Sequence, residues 1–207
     1  MIANKIQIIL HYLDNNFPDP QPSLQASTPF EILIATLLSA QCHDEQVNRV
    51  MPNLMQAAHT PQEMSKLTEA TIQKFIYSCG FFRNKARAIK ALSEQLCDRF
   101  NGQVPCTFDD LESLPGVGHK TASVVMGHAF RQFAFPVDTH IYRLALKWGL
   151  SKGPSVERVE RDLKRIFPQN DWFKRHLQLI LFGRTYCNRI QCKPKHLCCI
   201  CKALREL

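Results

Sequence analysis

The chain has 207 residues, 45% of them hydrophobic and 21% charged, which suits one or two globular domains and excludes a disordered or fibrous chain. The longest apolar run, around Ile32 to Ala40, is about half of the roughly 18 residues a membrane span needs. The opening "MIANKIQIIL" lacks a signal peptide's cleavage site, so a cytoplasmic protein away from the membrane is expected. A net charge of +8 and a pI near 9.1 admit nucleic acid as a partner without requiring it.

Helix signals follow one another along the chain. Thr28-Pro29-Phe30-Glu31 sets a cap residue, a proline at the first helical position and a glutamate three after the cap before "FEILIATLLSAQ". Thr60-Pro61-Gln62-Glu63 repeats the device, and Thr68 starts "EATIQKFIYSC", which Gly80 stops. Asn84 is read as the cap of "KARAIKALSEQLCDRF", with Asn101-Gly102 as its terminator. Thr107 caps a short piece ending at Leu114-Pro115. Further helices are expected after Gly118, Asp138, Ser155 and Asp171. No segment alternates as a strand would. The expected class is all-α, with roughly ten helices.

Two groups of basic residues stand out: Arg83, Lys85, Arg87 and Lys90, then Arg184, Arg189, Lys193, Lys195, Lys202 and Arg205. Charge alone reads these as solvated helix faces. Of the nine cysteines, Cys42, Cys79, Cys97 and Cys106 sit among apolar neighbours and read as small core residues. The other five, Cys187, Cys192, Cys198, Cys199 and Cys201, fall within fifteen residues, which suggests metal ligands before disulfides in a chain without a secretion signal.

The stretch "LPGVGHKTA", Leu114 to Ala122, carries the functional signal. Glycine lets the backbone approach another group closely, and a helix start presents unpaired N–H groups to an anion. A helix–glycine loop–helix can therefore grip a phosphate without reading sequence. A bare GxG would be an ordinary turn. Here Leu114, Pro115, Gly116, Val117 and Gly118 precede Lys120, whose charge is disfavoured at the positive end of a helix.

"LPGVGHKTA" followed by "VDTHIYRL", Val137 to Leu144, resembles the signature of the endonuclease III family of helix-hairpin-helix DNA glycosylases and AP lyases. "TPFEILIATLLSAQ", "CGFFRNKARAI" and "LFGRTYC" match in order, so the resemblance covers essentially the whole chain. It implies base excision repair on double-stranded DNA holding oxidised pyrimidines or abasic sites, by a monomer. It implies a six-helix barrel domain at 21–131 with the hairpin. A second helical domain at 1–20 and 132–207 would hold the cysteine loop 187–201. Lys120 is carried over as the nucleophile that attacks sugar C1′, and Asp138 as the carboxylate that stabilises the sugar cation and helps activate the lysine. Adenine-removing members of the superfamily lack this lysine, so Lys120 points to a bifunctional enzyme.

Gln41 and Phe81 occupy the family's gap-filling positions, where a base rotated out of the duplex leaves a hole. The family usually carries leucine where this chain has Phe81, and Phe81 as plain core is the alternative. His140 is a candidate DNA contact or a structural histidine. Leu114, Gly116, Val117 and Gly118 are expected at the DNA backbone. Family members with a [4Fe-4S] cluster carry C-x6-C-x2-C-x5-C, whereas this chain reads Cys187-x4-Cys192-x5-Cys198-x2-Cys201 with Cys199 spare. The four named cysteines are taken as cubane ligands, with Cys199 as substitute, zinc as runner-up and an empty site as a third option. Arg189, Lys193 and Lys195 would then meet DNA phosphates. Rival readings are a different base preference, a non-catalytic DNA-binding module, or a metal-sensing regulator.

Overall fold

The computed structural model describes residues 2–188, 192 and 197–207. Among these are twelve α-helices, one 3-10 turn and no strand, so the chain is all-α with more helices than the sequence suggested. Helix α1 (Ile2–Asn16) opens it. The contacts divide the chain into two compact units, one Pro22–Gln132, the other Met1–Gln21 with Phe133–Leu207.

The first unit holds α2 (Pro29–Ser39), α3 (Asp44–Ala57), α4 (Pro61–Met64), α5 (Glu69–Ile76), α6 (Phe82–Phe100), α7 (Phe108–Glu112) and α8 (His119–His128). The Thr28 hydroxyl accepts the Glu31 N–H at 3.2 Å and the Glu31 carboxylate accepts the Thr28 N–H at 3.2 Å. That capping box satisfies two donors that a helix start would otherwise leave bare. α2 then buries Phe30 and every residue from Ile32 to Leu38, so α3, α6 and α8 pack around it. Thr60, Thr68 and Thr107 cap α4, α5 and α7. α3 buries Val47, Val50, Met51 and Leu54 although it contains Pro52.

Four expectations need correcting here. Asn84 does not cap α6, which starts two residues earlier at Phe82 behind a left-handed Phe81. Lys85 is not on a solvated face; it is buried, and its Nζ donates to the Leu38 carbonyl at 2.8 Å. Lys90 also turns inward, donating to the Ser65 carbonyl. Cys79 is buried as expected, but Cys42 and Cys97 are half-buried and Cys106 is exposed.

The second unit packs α1 with α9 (Thr139–Lys147), α10 (Val156–Ile166), the 3-10 turn Gln169–Asp171, α11 (Trp172–Thr185) and α12 (Cys199–Ala203). Ile9, Leu13, Phe135, Trp148, Phe167 and Phe182 form the centre of its core, each worth about 1.5–3 kcal/mol on burial. A polar seam fixes α11 to α1. Buried Arg175 donates to Asp14 at 2.5 Å and to Asp171 at 3.2 Å, and Gln178 donates to the carbonyls of Leu13 and Phe17. A buried guanidinium is tolerated only when paired in this way.

Candidate functional site

In the unit Pro22–Gln132 the hairpin between α7 and α8 is built from its apolar residues inward. Leu114 and Val117 are 2% and 6% exposed, and the Val117 N–H bonds the Leu114 carbonyl at 3.1 Å. Their buried side chains anchor the turn. Gly116 has φ +78, and a Cβ there would sit 2.8 Å from the Ala88 Cβ and 3.2 Å from Leu37 Cδ1. Only glycine meets both the dihedral and the close approach. Gly118 differs: its φ of −98 is open to any residue, and a Cβ would meet nothing within 4 Å.

As the N-cap of α8, Gly118 supplies no side chain to bond the first amides. Those N–H groups and the helix dipole suit an incoming anion. His119 and Lys120 are the first two helical residues, and both are exposed. His119 Nδ1 lies 2.7 Å from Glu112 Oε1 and its ring stacks on Phe108 at 5.5 Å, which ties α7 to the start of α8. Lys120 therefore stands in the solvent-facing first turn of a helix whose entry is held from both sides.

The same unit carries Gln41 and Phe81 on adjoining turns. Both are non-glycine residues with left-handed backbone, φ 53 and φ 58, a conformation uncommon outside glycine. A Cβ on Gly80 would lie 3.2 Å from the Gln41 carbonyl, so the two turns press backbone to backbone. Gln41 is exposed, and Phe81 is 62% exposed. Phe81 is thus no core residue.

In the other unit Asp138 caps α9, its Oδ1 accepting the Ile141 N–H at 2.8 Å. A carboxylate at that end satisfies an orphan donor and complements the dipole. His140, in the first turn, packs on α11, where a Cβ on Gly183 would fall 3.1 Å from the His140 Cβ.

Four sulfurs gather at the far end of this unit. The Sγ atoms of Cys187, Cys192, Cys198 and Cys201 all lie within 4.8 Å of one another, with Cys187 to Cys201 at 3.9 Å and Cys192 to Cys201 at 3.8 Å. Cys199 lies outside this set. Lys147 Nζ is 2.9 Å from Cys192 Sγ and 3.7 Å from Cys187 Sγ, and Arg143 Nη1 is 3.9 Å from Cys187 Sγ. The buried indole N–H of Trp148 has no partner at full hydrogen-bond geometry, but it lies near enough to the Cys201 sulfur to favour its thiolate. Hydrogen bonds from Cys187 and Cys198 hold Cys201 far below an ordinary thiol, with Trp148 and Lys147 helping. Burial works against the Cys192 thiolate, but Lys147 and the Cys198 amide outweigh it and lower its pKa too. Soft donors, two cations and an unspent N–H fit a metal held as thiolate complex. Arg189, Lys193 and Lys195 lie outside the described residues.

A family model described as HhH-GPD superfamily base excision DNA repair protein matches residues 34–169. The Endonuclease III of Synechocystis sp. is 40% identical over 202 residues, 95% of this chain and 91% of that protein. The chain belongs to the endonuclease III family. A solved non-covalent endonuclease III–DNA complex superposes with a TM-score of 0.88 at 38% identity, covering 99% of this chain and 98% of that one. A trapped endonuclease III–DNA covalent intermediate, in an estranged-adenine complex, gives 0.87 at 39% identity, covering 98% and 99%.

As a member of this family, the chain is an enzyme of base excision repair, a bifunctional DNA glycosylase and AP lyase. Among its described residues no helix is long and apolar enough to cross a membrane. Sequence reasoning missed Arg143, Lys147 and Trp148 around the sulfurs, and the Glu112–His119 pair. The first three lie 40 or more positions before the cysteines they touch, and nothing local to them marks a metal site.

Proposed function

We propose that this enzyme removes oxidised pyrimidines from double-stranded DNA and cuts the strand 3′ to the resulting abasic site, acting as a monomer on cytoplasmic, nucleoid DNA. The unprotonated Lys120 amine attacks sugar C1′, the glycosidic bond breaks, and the base leaves with its electron pair. The Asp138 carboxylate, held in place as the cap of α9, stabilises the positive charge that grows on the sugar. The nitrogen sheds a proton, the C1′–O4′ bond opens with O4′ taking a proton as a hydroxyl, and the new C–N bond becomes a protonated imine. Loss of a C2′ proton then expels the 3′ phosphate by β-elimination. Gly116, Gly118 and the first amides of α8 hold a backbone phosphate, with Leu114 and Val117 shaping the turn. Gln41 and Phe81 fill the gap left by the flipped nucleotide, the first by hydrogen bonds and the second by stacking. His140 supports the Asp138 end of the site.

The observation that carries this reading is the glycine-capped start of α8, open in front of Gly118, with exposed Lys120 in its first turn. The test is borohydride trapping on a duplex with an abasic site. Wild type should give a covalent protein–DNA adduct, and Lys120→Ala should give none. A well-folded wild type without adduct would sink the lyase chemistry.

For the sulfurs we propose a [4Fe-4S] cluster held by Cys187, Cys192, Cys198 and Cys201, following the family resemblance. A cavity of about 210 Å³ borders Cys201, lined by Lys147, Trp148, Leu197 and Leu204 among others. When bound, the group would cross-link the cysteine loop as a structural element and take no part in catalysis. One observation favours a single zinc ion instead. Sulfurs 3.8 and 3.9 Å apart match the edge of about 3.8 Å that a tetrahedron with 2.3 Å metal–sulfur bonds requires. Iron, acid-labile sulfide and zinc content of the purified protein decide between the two. About four irons and four sulfides per chain support the cubane; one zinc with neither supports the ion.

A further inference from the structure

Under the turns that carry Gln41 and Phe81 lie two thiols and a buried amine that the proposed chemistry does not use. Cys42 follows α2, its N–H bonded to the Ser39 carbonyl at 3.1 Å, and Cys79 follows α5, its N–H bonded to the Ile76 carbonyl at 2.9 Å. The backbone approach of Gly80 to Gln41 brings their neighbours Cys79 and Cys42 into register, near enough for Cys42 to act on the Cys79 thiol. A second tie, Gln46 Nε2 to Ser78 Oγ at 2.5 Å, holds α3 to the same turn. Lys85 closes the group from behind, 6% exposed, its Nζ fixed on the Leu38 carbonyl and facing both sulfurs.

We propose that Cys42 and Cys79 are a redox-responsive dithiol which a hydroperoxide converts to a disulfide, bridging the turn of Gln41 to the turn of Phe81. Exposure assigns the two roles: Cys42 is half-buried and reaches solvent, whereas Cys79 is 1% exposed behind it. Burial first, and then the neighbouring Cys42, push Cys79 up to about 11, so it stays a thiol at neutral pH and waits as the resolving partner. The Cys42 thiolate attacks the peroxide, an S–O bond forms, the O–O bond breaks, and the leaving alkoxide takes a proton to become the alcohol. The Cys79 sulfur then attacks the sulfenic Cys42 sulfur. The S–S bond forms, the S–O bond breaks, and hydroxide leaves with the Cys79 proton as water. Two thiols lose two electrons and the hydroperoxide gains them. The Lys85 ammonium favours the anionic sulfur during the second step.

The consequence for DNA rests on the function proposed above for Gln41 and Phe81. Both residues hold a left-handed backbone, so a covalent bond between their turns fixes a spacing that insertion into the duplex must adjust. The full-length protein is treated with limiting hydrogen peroxide, blocked with N-ethylmaleimide, digested with trypsin without reductant and mapped by mass spectrometry. Peptide 6–49 should appear joined to peptide 75–83, lighter by two hydrogens than their sum, and should vanish in Cys42→Ser and in Cys79→Ala. Separately alkylated Cys42 and Cys79, or Cys42 joined to another cysteine, would overturn the pair. Binding to an abasic-site duplex, read by fluorescence anisotropy, should weaken roughly tenfold to a hundredfold on oxidation, recover with dithiothreitol, and not respond in Cys42→Ser. A cross-link with unchanged binding overturns the control of DNA insertion. Failure of borohydride trapping in the reduced protein would instead count against the proposed function, and the peptide map would stand regardless.

Discussion

Two helix starts in this molecule solve one problem in opposite ways. α9 spends its orphan amides internally, on the Asp138 carboxylate 2.8 Å from the Ile141 nitrogen. α8 begins at a glycine with no side chain to cap it and open space in front. The charges follow the same division. A carboxylate at a helix N-terminus is stabilised by the dipole and a lysine is not, so Asp138 sits where folding wants it and Lys120 where folding does not. A residue placed against local preference is a candidate for chemistry; the capped start at Asp138 and the uncapped start at Lys120 are where the proposed reaction takes its carboxylate and its amine.

Three changes break that contrast, and the largest removes the amine. Lys120→Ala should abolish the borohydride adduct and lower strand cleavage on an abasic duplex by at least about a thousandfold. Because Lys120 is exposed, its melting temperature should stay within the range of surface substitutions. A large stability loss would show that Lys120 is a folding residue. Asp138 can be split into its two roles. Asparagine still caps a helix, so Asp138→Asn should keep stability within about 0.5 kcal/mol while cutting base release roughly a hundredfold to a thousandfold. Asp138→Ala should add a loss of about 1 kcal/mol in denaturant unfolding. Equal activity in Asp138→Asn and wild type would leave Asp138 as a cap and nothing more.

The hairpin itself is tested at Gly116. Its φ of +78 and the 2.8 Å approach to Ala88 predict that Gly116→Ala costs roughly 2–4 kcal/mol, part for the left-handed backbone and part for the clash. Equilibrium unfolding reads the loss directly. A cost under about 0.5 kcal/mol would mean the turn rearranges at no penalty.

How much of the fold and site is legible in the sequence follows from where the information lies. Thr28, Thr60, Thr68, Thr107, Asp138 and Ser155 each cap the helix that sequence places after them, because a cap is chemistry within four residues. Sequence puts the start of α6 at Asn84 instead. Its true entry is the left-handed Phe81, set by one turn pressing on another, which no local pattern encodes. α3 is hidden because Pro52 inside it argues against a helix, and only its buried face outweighs the proline. The five C-terminal cysteines are readable as a group from spacing, and the set of four among them only through the family resemblance; Lys147, Arg143 and Trp148 are not readable at all, being brought to the sulfurs by tertiary packing alone.

The smallest effect sharpens the comparison most, because it makes α8 resemble α9. Gly118 has φ −98 and ψ 175, and a Cβ there would meet nothing within 4 Å, so Gly118→Asp fits without strain and can bond the first amides of α8. Capping should raise stability by a few tenths of a kcal/mol over glycine. The same carboxylate takes the place a DNA phosphate would occupy and repels it. Affinity for an undamaged duplex at low salt should fall about threefold to tenfold, with the difference shrinking as salt rises. A variant that is both more stable and weaker on DNA establishes that the amides of α8 were held open for the ligand. A variant that is more stable and binds unchanged would place the phosphate elsewhere and leave Gly118 as a residue of the turn.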